Sequence, residues 1–277
     1  CLHHARELAR EVGASCIFVH SGSLEDLDTL SRDFPGGGDN ILFVTNSKFA
    51  GREGGFPEKK IIEIPFKGIT RANQIELSVI FALSRGLVDK SARVISVFGL
   101  PDSGILDAIQ ITEISREFKV FFSLDSTSTD LQHQVLVRAI EISGELAEEG
   151  REGKPSGCIF VLGDDAQVKH HCQQMIINPF KGYAEGELNI LDPSLKETVK
   201  ELSKIDGAFI VRGDGVLLSA GTYLRSRIAL AELPSGLGAR HAAAAAITLM
   251  TRAVSVALSE STRKISIFKN GEKIMVL

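Results

Sequence analysis

Short apolar runs alternate with amphipathic helical stretches along the first half of the chain, and this alternation is the strongest constraint on its fold. Ser15 to Val19, Ile41 to Thr45, Lys60 to Ile64 and Arg93 to Phe98 read as strands. Leu2 to Val12 and Arg71 to Leu83 read as helices, the second with Ile75, Val79 and Leu83 on one face. Another helix is expected from Ser23, an N-cap with Asp26 in the capping-box position, to about Arg32. Pro35-Gly36-Gly37-Gly38 then breaks the chain. Strands that alternate with helices imply a mainly parallel sheet covered on both faces.

The pattern changes further on. Leu131 to Glu149 reads as a long helix, with Val135, Ile142 and Leu146 in register, and the polar stretch from Glu148 to Pro155 punctuates it. The Ser/Thr/Asp cluster from Ser123 to Asp130 is the expected linker, which divides the chain into residues 1–128 and 129–277. Cys158 to Gly163 reads as a strand, Asp164 to Met175 as a helix and Pro193 to Lys204 as another. Arg212-Gly213-Asp214-Gly215 reads as a hairpin turn between the strands Asp206 to Val211 and Gly215 to Ser219. An Ala-rich helix is expected from Gly238 to about Val254, then strands at Val256 to Leu258, Lys264 to Phe268 and Lys273 to Val276. Asn270-Gly271 joins the last two. This half is expected to be mixed α/β with a more antiparallel sheet.

Composition narrows the function classes. With 31 Lys and Arg against 35 Asp and Glu, the chain carries a formal charge of -4, so it has no general affinity for nucleic acid or an anionic membrane. Any anionic ligand must be held by a local positive site. Trp is absent and aromatics are 6%, which argues against a stacking platform for single strands. No apolar run approaches the roughly 20 residues that cross a bilayer. The chain begins at Cys1 without a methionine, read as a trimmed start, and no secretory leader pattern is visible there. Cys1, Cys16, Cys158 and Cys172 form no C-x-x-C pair or disulfide framework, so a reducing cytoplasm is expected.

Two short segments carry candidate chemistry. In Leu237-Gly238-Ala239-Arg240-His241-Ala242-Ala243-Ala244, a glycine-rich approach opens a helix. Free N–H groups and the dipole at such a start attract anions, and Arg adds a planar fork matched to phosphate. The plainer reading is an Ala-rich core helix with a solvated Arg and a capping His. In Ile205-Asp206-Gly207-Ala208-Phe209, a carboxylate sits at the mouth of an apolar strand, where it can ligate a divalent metal or take a proton from a hydroxyl. The plainer reading there is a turn Asp before a buried strand. His170-His171-Cys172 lacks a second cluster to complete a zinc site, and no triphosphate loop with its Lys and Ser/Thr is present.

Taken with Leu258-Ser259-Glu260-Ser261-Thr262-Arg263-Lys264, the order and spacing of these segments resemble the diadenylate cyclase domain, from about Gly157 to the C-terminus. That family carries Asp-Gly-Ala, then a Gly-Thr-Arg-His-Arg stretch opening a helix, then a Ser-Glu strand end. The first half more loosely resembles the C-terminal α/β domain of pyruvate kinase, and the pairing looks like the archaeal type of diadenylate cyclase. The resemblance implies a three-layer α/β domain followed by a mixed α/β cyclase domain with a central mixed sheet. It implies condensation of ATP into cyclic di-AMP with Mn²⁺ or Mg²⁺, by a homo-oligomer in which at least a transient dimer of cyclase domains meets face to face. Asp206 would bind the metal and activate the 3′-hydroxyl. Gly207 and Ala208 would line the nucleotide by their backbone. Gly238, Ala239, Arg240 and His241 would hold the triphosphate, and Ser259 and Glu260 would sit near the phosphates or metal.

The chain departs from that pattern. Ala239 stands where the bacterial motif has Thr, Ala242 where it has the second Arg, and Ile205 where some members have His. Arg225, Arg227, Arg263 and Lys264 are the candidates to replace the lost cation. Ala242 keeps open a rival reading, a nucleotide-binding sensor with weak or no catalysis.

Overall fold

In the computed structural model, residues 1–21, 40–45, 60–64, 66, 69–99, 105–118, 129–225 and 238–277 are described. The expected helix from Ser23 to Arg32, the Pro35 to Gly38 break and most of the expected linker lie outside them. The chain divides into two compact units, Cys1–Phe122 and Ser123–Leu277. No helix among the described residues is long and apolar enough to cross a membrane.

The first unit has a five-stranded sheet in the order β3-β2-β1-β4-β5. Its strands are β1 (Cys16–Ser21), β2 (Ile41–Thr45), β3 (Ile61–Glu63), β4 (Arg93–Gly99) and β5 (Leu106–Glu113). All neighbours are parallel except β4 and β5. Helix α1 (Leu2–Val12) buries Leu2 and Ala5 against Ile17, Val19, Ile95 and Val97 on one face. Phe18 and Val94, which point the other way, are also fully buried, as a sheet covered on both faces requires. Helix α2 (Arg71–Ser84) is capped by the Thr70 side chain, which accepts from the Asn73 amide. Strand β5 was not expected. Its outer position leaves most of its side chains partly or fully exposed, so no continuous apolar run marks it. The short helix α3 (Ile114–Glu117) follows it.

The second unit is built on a seven-stranded mixed sheet, β12-β11-β10-β6-β8-β9-β7. Its strands are β6 (Ile159–Leu162), β7 (Cys172–Gln174), β8 (Ala208–Val211), β9 (Leu217–Leu224), β10 (Val254–Leu258), β11 (Ile265–Lys269) and β12 (Glu272–Val276). Only β6 and β8 pair in parallel. Helix α4 (Thr129–Glu149) packs on one face, against β6, β10 and β11. The later helices are the single-turn α5 (Asp165–Val168), then α6 (Lys196–Leu202) and α7 (Ala239–Met250). Helix α7 seats Ala244, Ala245 and Ile247 against Ile159, Val161, Ala208 and Ile210. The small alanines let this helix lie close to the strands. On the α6 side, Lys200 is buried and salt-bridged to Glu145, Glu149 and Glu197, which ties α6 to α4.

Two expectations need correction. The helix expected from Asp164 to Met175 is only α5, a 3-10 turn and then β7, whose Cys172–Gln174 ladder with Thr222–Leu224 is a long-range pairing. The Ala-rich helix stops at Met250. Thr251 turns extended, its hydroxyl bonds the Ile247 carbonyl, and Val254 pairs with Leu162 and Lys269 in β10. The Asn270-Gly271 hairpin is present, with φ of 52° and 79° at the turn.

Candidate active site

Sheet register gathers the sequence candidates at one edge. Ile159 at the start of β6 pairs with Ala208 at the start of β8 and with Ala257 near the end of antiparallel β10. The residues before β6 and β8 and after β10 therefore share that edge. They are Gly157, Asp206, Gly207, Ser259 and Glu260. Arg240, in the first turn of α7, reaches the same edge. Its Nη1 donates to Glu260 Oε2 at 2.8 Å, and its Nη2 lies 3.8 Å from Asp206 Oδ1. One guanidinium thus stands between the candidate carboxylates.

Each partner is held differently. Gly207 has φ 111°, and a Cβ there would lie 2.6 Å from the Thr222 amide nitrogen, so a side chain is excluded by the backbone of β9. The β8–β9 ladder shifts register just beyond, between Ala208 and Ile210. This tight joint places Asp206 on the rim, where its side chain is 82% exposed. Ala208 is fully buried in the sheet, so it contributes main chain rather than side chain.

Gly238 is the N-cap of α7 and makes no side-chain cap bond. Among the described residues, a Cβ on it would meet nothing within 4 Å. Ala239 is exposed beside it. His241 is half-buried, with its ring edge-on to Phe268 at 5.9 Å. Burial first, then the charges of Lys273 and Arg240, lowers its pKa below the ordinary histidine value, which favours the neutral imidazole.

Ser259 serves the turn after β10. Its hydroxyl accepts from the Thr262 amide at 3.2 Å, and its own amide donates to Lys264 O. That leaves Glu260 as the side chain of the pair that faces Arg240. Among the candidate replacement cations, Arg263 and Lys264 are exposed on this turn, whereas Arg225 donates to Gln173. Arg227 lies outside the described residues.

Gly157 belongs to this edge and was missed by sequence reasoning. A Cβ on it would lie 2.7 Å from Arg240 Nη1 and 3.1 Å from Glu260 Cβ. A glycine before an apolar strand gives no signal of that in sequence. Next to it, burial pushes the Cys158 thiol up to about 12, so this cysteine is no nucleophile.

The edge can bind phosphate and a phosphate-borne cation. The Asp206, Arg240 and Glu260 side chains are 82%, 33% and 54% exposed, and exposed ion pairs are worth about 0–1 kcal/mol, so an incoming phosphate can break them cheaply. No group of three or more Asp, Glu, His or Cys side chains gathers to hold a metal among the described residues. A cation of the Mg²⁺ type, held by one or two carboxylates and substrate phosphates, fits Asp206 and Glu260 better than a site built of protein ligands alone.

Comparisons with known proteins bear on the family. Residues 145–273 match the DAC family, described as DisA bacterial checkpoint controller nucleotide-binding. The chain is 36% identical to a diadenylate cyclase of Methanocaldococcus jannaschii over 201 residues, 72% of this chain and 64% of that one. It thus spans under two thirds of that relative's length. It is 29% identical to a diadenylate cyclase of Haloferax volcanii over 218 residues, 77% of this chain and 78% of that one. A structure of DacA from Staphylococcus aureus overlaps 53% of this chain and 87% of its own at 21% identity and a TM-score of 0.34, a likeness too slight to argue from. The sheet edge formed by Asp206, Arg240 and Glu260 lies within residues 145–273, the part of this chain that matches the DAC family.

Proposed function

We propose that the second unit condenses two ATP molecules into cyclic di-AMP and releases two pyrophosphates. The observation that carries this reading is Arg240 standing between Asp206 and Glu260 at the start of α7. Arg240 moves from the carboxylates onto the triphosphate and offsets charge on the departing pyrophosphate. The start of α7 at Gly238 and Ala239 offers main-chain N–H groups to the same phosphates. His241, held neutral, donates or accepts one hydrogen bond there without adding charge. Gly207 and Ala208 bring main chain against the nucleoside.

Asp206 and Glu260 would hold a divalent cation together with the phosphates. When bound, that cation neutralises phosphate charge and eases loss of the 3′-hydroxyl proton. Asp206 would take that proton and orient the oxygen for attack on the α-phosphorus of the other nucleotide. The O3′–P bond forms as the bond to pyrophosphate breaks, once for each ATP. A single rim cannot present both nucleotides in line, so the domains meet face to face, at least transiently.

We assign residues 1–128 to a pyruvate-kinase-C-terminal-like domain with a regulatory role, and the protein to the cytoplasm. The sensor reading has one specific observation in its favour: Ala242, one turn into α7, supplies no cation. Incubation with ATP and Mn²⁺ separates the readings. Product supports the cyclase, and ATP binding without product under several metals supports the sensor.

A further inference from the structure

We propose that Gly157 is a positioning residue for Arg240, holding open the slot in which the guanidinium rests against Glu260. This rests on the reading of Arg240 as the phosphate-binding cation. Gly157 is not among the residues with positive φ, so its backbone does not demand glycine. What it lacks is space. A Cβ would lie 2.7 Å from Arg240 Nη1, 3.0 Å from the Leu258 carbonyl oxygen and 3.1 Å from Glu260 Cβ.

The position is fixed by the sheet. The Leu258 amide donates to the Cys158 carbonyl at 2.9 Å, which clamps the start of β6 to the end of β10. Glu260 follows that clamp and Gly157 precedes it. Arg240 enters from α7, and its guanidinium lies along the start of β6, beside Gly157. Adding one methyl group at Gly157 pushes the guanidinium off the rim itself, away from Glu260, from Asp206 and from phosphates arriving between them. Gly238 differs, since a Cβ there meets nothing within 4 Å among the described residues.

The test is a double-mutant cycle on the full chain with Gly157→Ala, Arg240→Ala and both together. Affinity for a fluorescent ATP analogue, cyclic di-AMP formation and thermal melting are read for each. Gly157→Ala is expected to weaken nucleotide affinity by about tenfold alone, yet to add no further loss once Arg240 is Ala, as for residues in direct contact. The double variant should also melt higher than Gly157→Ala, because removing the guanidinium makes room for the methyl. Additive losses, or full affinity in Gly157→Ala, overturn the proposal. Should Gly157→Ala fail to fold, folding of the double variant supports the slot. Failure of both assigns the clash to the Leu258 carbonyl and overturns it. Absence of product with nucleotide binding intact removes the cyclase reading and leaves the affinity cycle readable.

Discussion

Arg240 Nη1 donates to Glu260 Oε2 at 2.8 Å, although the residues are 20 positions apart and belong to a helix start and a strand end. The bond makes the phosphate-binding candidate and a cation-binding candidate mutual partners before any ligand arrives. On the proposed function, nucleotide and cation would have to part them together, which would couple the binding of one to the other.

Removing the guanidinium tests that coupling. Arg240→Ala should weaken ATP binding by about 2 kcal/mol, the scale of one charge-assisted contact. The loss should shrink at high salt, where exposed charges are screened. Isothermal titration at two ionic strengths checks both. Unchanged affinity would show that the phosphates are held elsewhere.

Gly207→Ala should destabilise the second unit by about 2–3 kcal/mol, because it adds strain at φ 111° and a contact of 2.6 Å with the Thr222 amide nitrogen. Denaturant unfolding monitored in the full chain measures it. A loss below about 0.5 kcal/mol, the range of ordinary surface changes, would contradict the tight joint.

Lys200→Ala should cost about 3 kcal/mol. Its ammonium is buried among Glu145, Glu149 and Glu197, and breaking a buried pair strands the opposite charge. Glu149 and Glu197 keep more than half their side-chain exposure, so solvent holds the cost to about 3 kcal/mol. Lys200→Met, which keeps the packing, should lose less. A loss confined to Lys200→Ala, with Lys200→Met unaffected, would assign the effect to volume instead.

His241 sets a pH dependence. Its folded pKa lies below the ordinary value, chiefly through burial. The unfolded chain therefore binds this proton first as pH falls, so the stability it contributes is present above about pH 6.5 and lost below it. Melting curves at about pH 7.5 and 5.5 should show a larger drop for the unaltered chain than for His241→Gln. The same drop in both would place the imidazole in solvent.

Local signals carried much of this fold. Ile41–Thr45 is a strand as its apolar run implies, and Asn270-Gly271 turns where its dipeptide says. What escaped was long-range. Cys172–Gln174 looked like the end of a helix because its partners, Thr222–Leu224, lie about fifty positions away. Strand β5 escaped because its outer position asks for little apolar pattern. At the candidate site, Asp206 and Arg240 were legible as motifs, but their proximity was not, since only the shared register of β6, β8 and β10 brings them together. Gly157 was invisible for the same reason.

The most direct measurement is product formation. The purified full chain is incubated with ATP and Mn²⁺, and the mixture is resolved by liquid chromatography with mass detection. Cyclic di-AMP should form, and Asp206→Asn should abolish it while ATP still binds. Product at the unaltered rate in Asp206→Asn, or no product from the unaltered chain under several metals with ATP bound, would contradict the account.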